Sequence, residues 1–353
     1  MGDDALDRDA RIKLSIGTKR HGNADGLFYK PRGLAFDHHR GLLLVADFNN
    51  NRVQVFSCCD DNDGGSFVSK FGERGDQPGQ FKNPFGLAID HDHDRILITD
   101  TSNGRVQSWS LSEQSFLSCI GQRGSGDLEF KNPRGIAIDK HHHRIIIVDT
   151  HNNRLVFVSS IDLSFLFSIG KRGAQPGEFH YPIGIAIDHD RHRIIVTDTL
   201  NHRVQVLSLI DGSFLFEIGL KGDQPCNFAY PQGVCIANQG RIIVADFVNR
   251  LQSFTHEGHH ISSFDCGRDK PWALAFDEHR GLIAFSSDHR VRVIGANQWL
   301  ADTLFVWRPD LHRYAPSWMK QAVSTMTMIR SLVEESAMSM IPNELLFEIF
   351  SFL

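Results

Sequence analysis

The phrase Pro-x-Gly-apolar-Ala-apolar-Asp occurs four times along this chain: PRGLAFD from Pro31, PFGLAID from Pro84, PRGIAID from Pro133 and PIGIAID from Pro182. Two weaker copies, PQGVCIA from Pro231 and PWALAFD from Pro271, continue the series. Successive starts lie 53, 49, 49, 49 and 40 residues apart. Self-similarity at a period of this order means stacked supersecondary units that share one core. A polar insertion, Cys58 to Gly65, lengthens the first interval, and trimmed turns shorten the last.

Each copy continues in the same way. A polar turn leads to an apolar run ending in Asp (RILITD, RIIIVD, RIIVTD), then Asp-x-x-Asn-x-Arg, then VQVFS or VQVLS, then an aromatic run such as FLFSIG. Short runs of β-branched and aromatic residues bounded by Gly, Asn, Asp and Pro are strands. Four strands per unit at this period make a propeller blade, and six phrases make six blades. The sixth unit ends at Val291 to Ile294 with no outer strand of its own, whereas IKLSIG, Ile12 to Gly17, matches FLFSIG. The N-terminal strand is therefore expected to complete the last blade and close the ring, which removes exposed sheet edges. The fold class read from the sequence is an all-β, six-bladed β-propeller followed by a short α-helical C-terminal tail.

The unit resembles the NHL repeat, and residues 11–295 fall within the resemblance. Its carriers are the Pro-x-Gly phrase and DFNNNRV at Asp47, DTSNGRV at Asp100, DTHNNRL at Asp149 and DTLNHRV at Asp198. The fifth unit, DFVNRL at Asp246, is one residue short, and the sixth has Ser286 at the position read as that of the Asp. The resemblance implies a propeller used as a scaffold for protein or RNA recognition. In each phrase the Asp and Arg (Asp47 with Arg52, Asp100 with Arg105, Asp149 with Arg154, Asp198 with Arg203, Asp246 with Arg250) are expected to clip the turn between second and third strands in fork geometry. Recurrence in blade after blade marks them as structural, because a catalytic group is needed once.

The residue between Pro and Gly is expected at the mouth of the channel, free of core demands, and it varies: Arg32, Phe85, Arg134, Ile183, Gln232 and Trp272. Residues just before it add Tyr29, Lys30, Lys82, Lys131, His180, Tyr181, Tyr230 and Lys270. Cationic and aromatic side chains on one face suit a protein partner, through buried Arg, Trp and Tyr anchors. They also suit single-stranded RNA, through stacking and phosphate contacts, and salt dependence separates the two. The net charge of −5 excludes a globally basic nucleic-acid binder but not a local patch.

Histidines recur in the turns between first and second strands: His38 and His39, His91 and His93, His141 to His143, His189 and His192. These turns are expected to be spread around one rim, too far apart for four ligands to converge; the run His141 to His143 suits loose binding of a transition metal at most, so neither a functional metal nor a cofactor is expected. The inner strands offer no Ser/His/Asp or Cys/His set, which places a propeller lyase or hydrolase behind the two binding functions. The six cysteines recur at no fixed spacing and form no CxxC pair, which fits reduced thiols and excludes a RING-type zinc module. The acidic opening segment, residues 1–10, lacks the order of a secretory signal, and no apolar stretch is long enough to span a membrane. A cytoplasmic or nuclear protein is expected.

After Gly295 the pattern changes. Residues 296–316 read as a linker with Pro309 and Pro316, and 317–353 as a helical tail. In the tail Met319, Ala322, Val323, Met326, Ile329 and Val333 recur at helical spacing. The last stretch, residues 341–353 (IPNELLFEIFSFL), resembles the opening helix of an F-box, with Ile341, Pro342, Leu345, Leu346, Ile349 and Phe350 as docking residues. The resemblance implies contact with a Skp-type adaptor of cullin ubiquitin ligases; an amphipathic helix laid on the propeller rim has the same pattern.

Overall fold

The computed structural model describes residues 12–58 and 65–296. The acidic segment, the helical tail and the F-box-like residues Ile341, Pro342, Leu345, Leu346, Ile349 and Phe350 lie outside the described residues. No helix among the described residues is long and apolar enough to cross a membrane.

Six four-stranded antiparallel sheets stand around a central channel, each running from an inner to an outer strand. The inner strands are Pro31–Asp37, Pro84–Asp90, Pro133–Asp139, Pro182–Asp188, Pro231–Ala237 and Leu274–Asp277, in blades 1 to 6. Blade 4 shows the common plan: after the inner strand come Arg193–Asp198, Arg203–Ser208 and Phe214–Ile218. The second strand of a blade is covered on both faces by its neighbours. Hence RIIIVD of blade 3 is buried throughout, while the outer strand FLFSI alternates between partly buried and exposed residues.

The ring closes as the N-terminal sequence requires. Ile12–Gly17 is the outer strand of blade 6, with Leu14 opposite Val293, Ile16 opposite Val291 and Gly17 opposite Arg290. Ile16 is buried at the seam with Leu43, Val45 and Val293, so first and last blades share one apolar cluster.

Five of the six connections from an outer strand to the next inner strand carry a wholly buried phenylalanine: Phe28, Phe81, Phe130, Phe179 and Phe228. The aromatic ring lies against a glycine that ends the outer strand; at Gly170, φ is +92° and an added Cβ would overlap Phe179. The connection into blade 6 lacks this wedge, and buried Cys266 occupies the stretch instead. That is the physical form of the short last interval.

One position in blade 6 is read differently by the structure. Ser286 pairs with Val291 and Ser287 faces Arg290, so Ser287, not Ser286, stands where the other blades have Asp. Ser286 instead matches Thr99 and Thr197. Its hydroxyl donates to Arg32 O at 2.8 Å, as Thr99 donates to Arg134 O at 2.7 Å. The shortened turn removed two residues and moved the apparent register by one.

Candidate interaction site at the channel mouth

Strand register sets which groups meet at each end of the channel. Pro182 lies opposite Asp198, and Asp198 opposite Arg203, so the start of the inner strand and the second turn share one face. Asp188 opposite Arg193 puts the first turn at the other face.

On the first face the Asp-Arg pairs do more than clip a turn. Arg203 Nε donates to Asp198 Oδ2 at 2.8 Å, while its Nη2 donates to Gln175 O and Glu178 O, each at 3.0 Å, in the incoming connection. Asp198 Oδ2 also accepts from Asn201 Nδ2 at 2.8 Å and Gln205 Nε2 at 3.1 Å, and Oδ1 accepts from the His180 N–H. The same pattern holds Arg52 to Asp47, Arg105 to Asp100 and Arg154 to Asp149. The guanidinium is thus divided between carboxylate and carbonyls rather than paired fork to fork. In the shorter turn of blade 5 both Nε and Nη2 of Arg250 reach the same oxygen, Asp246 Oδ2. Burial pushes the carboxyls of Asp47, Asp149, Asp198 and Asp246 above the usual range, against the hydrogen bonds they accept. In blade 6 Arg290 turns to Asp269 at 3.0 Å, because Ser287 offers no carboxylate.

The residues before each inner strand have their backbone fixed by these pairs. The N–H groups of Tyr29, Lys82, Lys131, His180 and Tyr230 all donate to an Asp of the set. Their side chains are left to the rim: Tyr29, Lys30, Lys82, Lys131, Tyr230 and Lys270 are exposed, and His180 is half-buried. Lys270 lies over the Phe247 ring at 4.6 Å.

The residues between Pro and Gly are not free of the core. Phe85, Ile183 and Gln232 are buried, and so is Arg32 at 5% exposure. Neighbouring inner strands approach so closely that a Cβ at Gly184 would run into Gln232 O, and this draws the preceding side chains into the channel. Arg32 stacks on Trp272 at 3.6 Å, and Arg134 lies over Phe85 at 5.3 Å and Tyr181 at 4.8 Å, donating to Tyr181 Oη at 2.8 Å. Among the described residues no carboxylate hydrogen-bonds to either guanidinium; Arg32 reaches Pro31 O at 3.4 Å, and Arg134 Nε has no acceptor. Burial lowers Arg32 to about 9, partly offset by the field of Asp288, and lowers Arg134 as well. Sequence reasoning missed Phe48 and Phe247, which border Phe85 and Trp272 at 6.0 and 5.0 Å. Their signal was present: after the clip Asp, blades 2 to 4 have Thr and blades 1 and 5 have Phe.

Below the mouth the channel holds a cavity of about 70 Å³ lined by Gly, Ala, Leu, Ile and Val with Phe85 and Trp272. Such a lining supplies no general acid, base or nucleophile. Cys235, on an inner strand, has its thiol pushed up to about 12 by burial and stays protonated at neutral pH.

On the opposite face the histidine turns of neighbouring blades lie closer together than a spread around a wide rim implies, although no four of their imidazoles form one cluster among the described residues. The second residue after the inner-strand Asp in one blade meets the first residue after it in the next. His39 lies 4.2 Å from His91 between ring centroids, His279 lies 4.7 Å from His38, and His141 lies 4.9 Å from His189. The turns surround the channel end, where the blades are closest together. Burial lowers the pKa of His38 and His91 from the ordinary value.

Residues 28–56, 179–207 and 228–251 match the model of the NHL repeat. The described residues form an all-β, six-bladed propeller with NHL repeats. It is 32% identical over 91 residues to peptidylglycine alpha-amidating monooxygenase of Rattus norvegicus, covering 24% of this chain and 9% of that protein. It is 33% identical over 85 residues to peptidyl-glycine alpha-amidating monooxygenase B of Xenopus laevis, covering 23% and 9%. The chain thus spans about a tenth of the length of these relatives. Among solved structures, a gluconolactonase from Xanthomonas campestris superposes with a TM-score of 0.59 at 14% identity, covering 76% of this chain and 87% of that one. A Bacteroides thetaiotaomicron protein of unknown function gives 0.58 at 16%, covering 80% and 76%. At these identities the likeness is one of fold.

Proposed function

We propose that this propeller is a non-catalytic interaction scaffold that docks a protein partner at the channel mouth. The observation that carries this is the pair of guanidiniums, Arg32 buried and Arg134 half-buried, held on aromatic faces with no carboxylate hydrogen-bonded to them among the described residues. Cations fixed in this way have given up much of their hydration and side-chain freedom before any partner arrives, which favours an incoming carboxylate. The partner we infer presents an acidic side chain or a C-terminal carboxylate to the mouth, with Tyr29, Tyr230 and the rim lysines around it. The aromatic and Arg content is that of binding hot spots. The relatives named for peptidylglycine substrates are consistent with a peptide at this position. The apolar lining of the cavity speaks against catalysis there.

In the same proposal the F-box-like stretch at 341–353 contacts a Skp-type adaptor of cullin ligases and makes the protein a substrate receptor. The test is selection from a displayed random peptide library on the full chain. Enrichment of peptides with a free C-terminus or acidic anchors, lost in Arg134→Met, supports the reading. Enrichment unchanged by Arg134→Met and Arg32→Met overturns it. RNA binding at the same face would instead appear as affinity that falls steeply with salt.

A further inference from the structure

The face opposite the mouth carries three imidazoles in position to share one ion. His38 and His39 follow the inner strand of blade 1, and His91 follows that of blade 2. One ring nitrogen from each falls within 4.8 Å of the other two. Four-coordinate zinc, at Zn–N distances near 2.05 Å, places its ligand nitrogens about 3.3 Å apart. Half-buried and exposed rings can cover that difference by small side-chain rotations.

A second observation singles out this turn among its sisters. In blades 2 and 3 the carboxylate ending the inner strand is met by the Arg that opens the second strand, Arg95 on Asp90 and Arg144 on Asp139. Blade 1 has Leu42 at that position. Asp37 is consequently wholly buried with Oδ2 lacking any hydrogen-bond donor; Arg40 Nη1 lies 3.8 Å away and donates instead to Leu111 O at 2.8 Å. Asp37 Oδ1 lies 3.9 Å from His91 Nε2. A carboxylate beside a ligating histidine is the usual outer partner of an imidazole–metal bond, fixing the ring and raising its basicity.

The geometry points to a binding site for a divalent first-row transition-metal ion, zinc being the class it fits, held by His38, His39 and His91 with Asp37 behind His91. Imidazole ligands favour such ions over calcium or magnesium, which take oxygen. Three protein ligands leave the fourth position to water. The ion ties blade 1 to blade 2, so it stabilises the fold by mass action. The site lies at the other end of the inner strands from the mouth and does not rest on the function proposed above.

The test uses the full chain free of any added histidine tag, stripped with chelator and titrated with zinc alone. The expected result is one zinc per chain with a Kd below about 10 µM, and a melting temperature that rises with zinc and falls back with chelator. Cobalt(II) alone should give the visible absorption of a nitrogen-bound, low-coordinate ion. His91→Gln and His39→Gln should each weaken binding at least about tenfold. His141→Gln, in the corresponding turn of blade 3, should leave it unchanged. Because His39 is exposed, its variant keeps the test valid if His91→Gln fails to fold. Absence of binding below about 10 µM in the parent chain overturns the proposal, and so does a His39→Gln chain that binds zinc as tightly as the parent.

Discussion

The two ends of the blades are built by different rules. At the mouth end, four blades repeat one network of Asp, Asn and Arg around a carboxylate, the fifth keeps its Asp and Arg, and even the incomplete sixth finds Asp269 for its Arg290. At the other end the carboxylate is met by Arg95 and His93 in blade 2, by Arg144 and His142 in blade 3, by Arg191 in blade 4 and by no hydrogen-bonding side chain at Asp37 Oδ2. A device repeated without change is what holds a blade together. Where the device varies, the fold tolerates many answers, and the position is open to a specific use.

The largest effect that would sharpen this contrast is a pair of substitutions in one blade. Asp198→Ala strips the acceptor from Arg203, Asn201 and Gln205 and leaves a buried cation, and should cost about 3–5 kcal/mol. Asp188→Ala loses one bond from the Arg191 backbone N–H and long contacts from its guanidinium, and should cost about 1 kcal/mol. Urea denaturation measures both; equal losses would break the comparison. Next comes Gly184→Ala, which forces a Cβ against Gln232 O and should cost about 2–3 kcal/mol by the same measurement. Thr197→Ala removes a hydroxyl that accepts from Gly184 N and donates to Gln232 O of the next blade, a loss of about 1–2 kcal/mol. Ser286→Ala should behave alike, because the same bond joins blade 6 to blade 1.

The smallest effect belongs to an exposed turn. Asp211 accepts from the N–H and hydroxyl of Ser213, which lowers its pKa to about 2 from 3.8. A folded-state pKa below the unfolded one adds stability that is present above 3.8 and lost as pH falls through about 2. Asp211→Asn should therefore lower the melting temperature slightly at neutral pH and leave it unchanged near pH 2.

Strand runs, blade number and closure by Ile12–Gly17 were legible because each depends on local pattern and on the demand that no edge be left open. The Asp-Arg pairs were legible as pairs, but the carbonyls that Arg203 reaches in the incoming connection were not, since no local pattern reports a contact 25 to 28 residues away. Burial of Arg32 and Phe85 was missed because it follows from how closely glycine lets adjacent inner strands approach. The meeting of His39 with His91 was missed because the turns were treated as points on a wide rim, when they ring a narrow channel end. Ser286 was misplaced for a plainer reason: two residues are missing from its turn, and only the ladder restores the register.

The central claim is that the fixed cations of the mouth hold a partner. The most direct measurement is quantitative mass spectrometry of proteins that co-purify with the full chain and with an Arg32→Met/Arg134→Met chain whose circular dichroism and melting match the parent. The account predicts a defined set of partners lost from the double variant, while components that depend on residues 341–353 stay. Recovery of the same partners at the same level by both chains would contradict it.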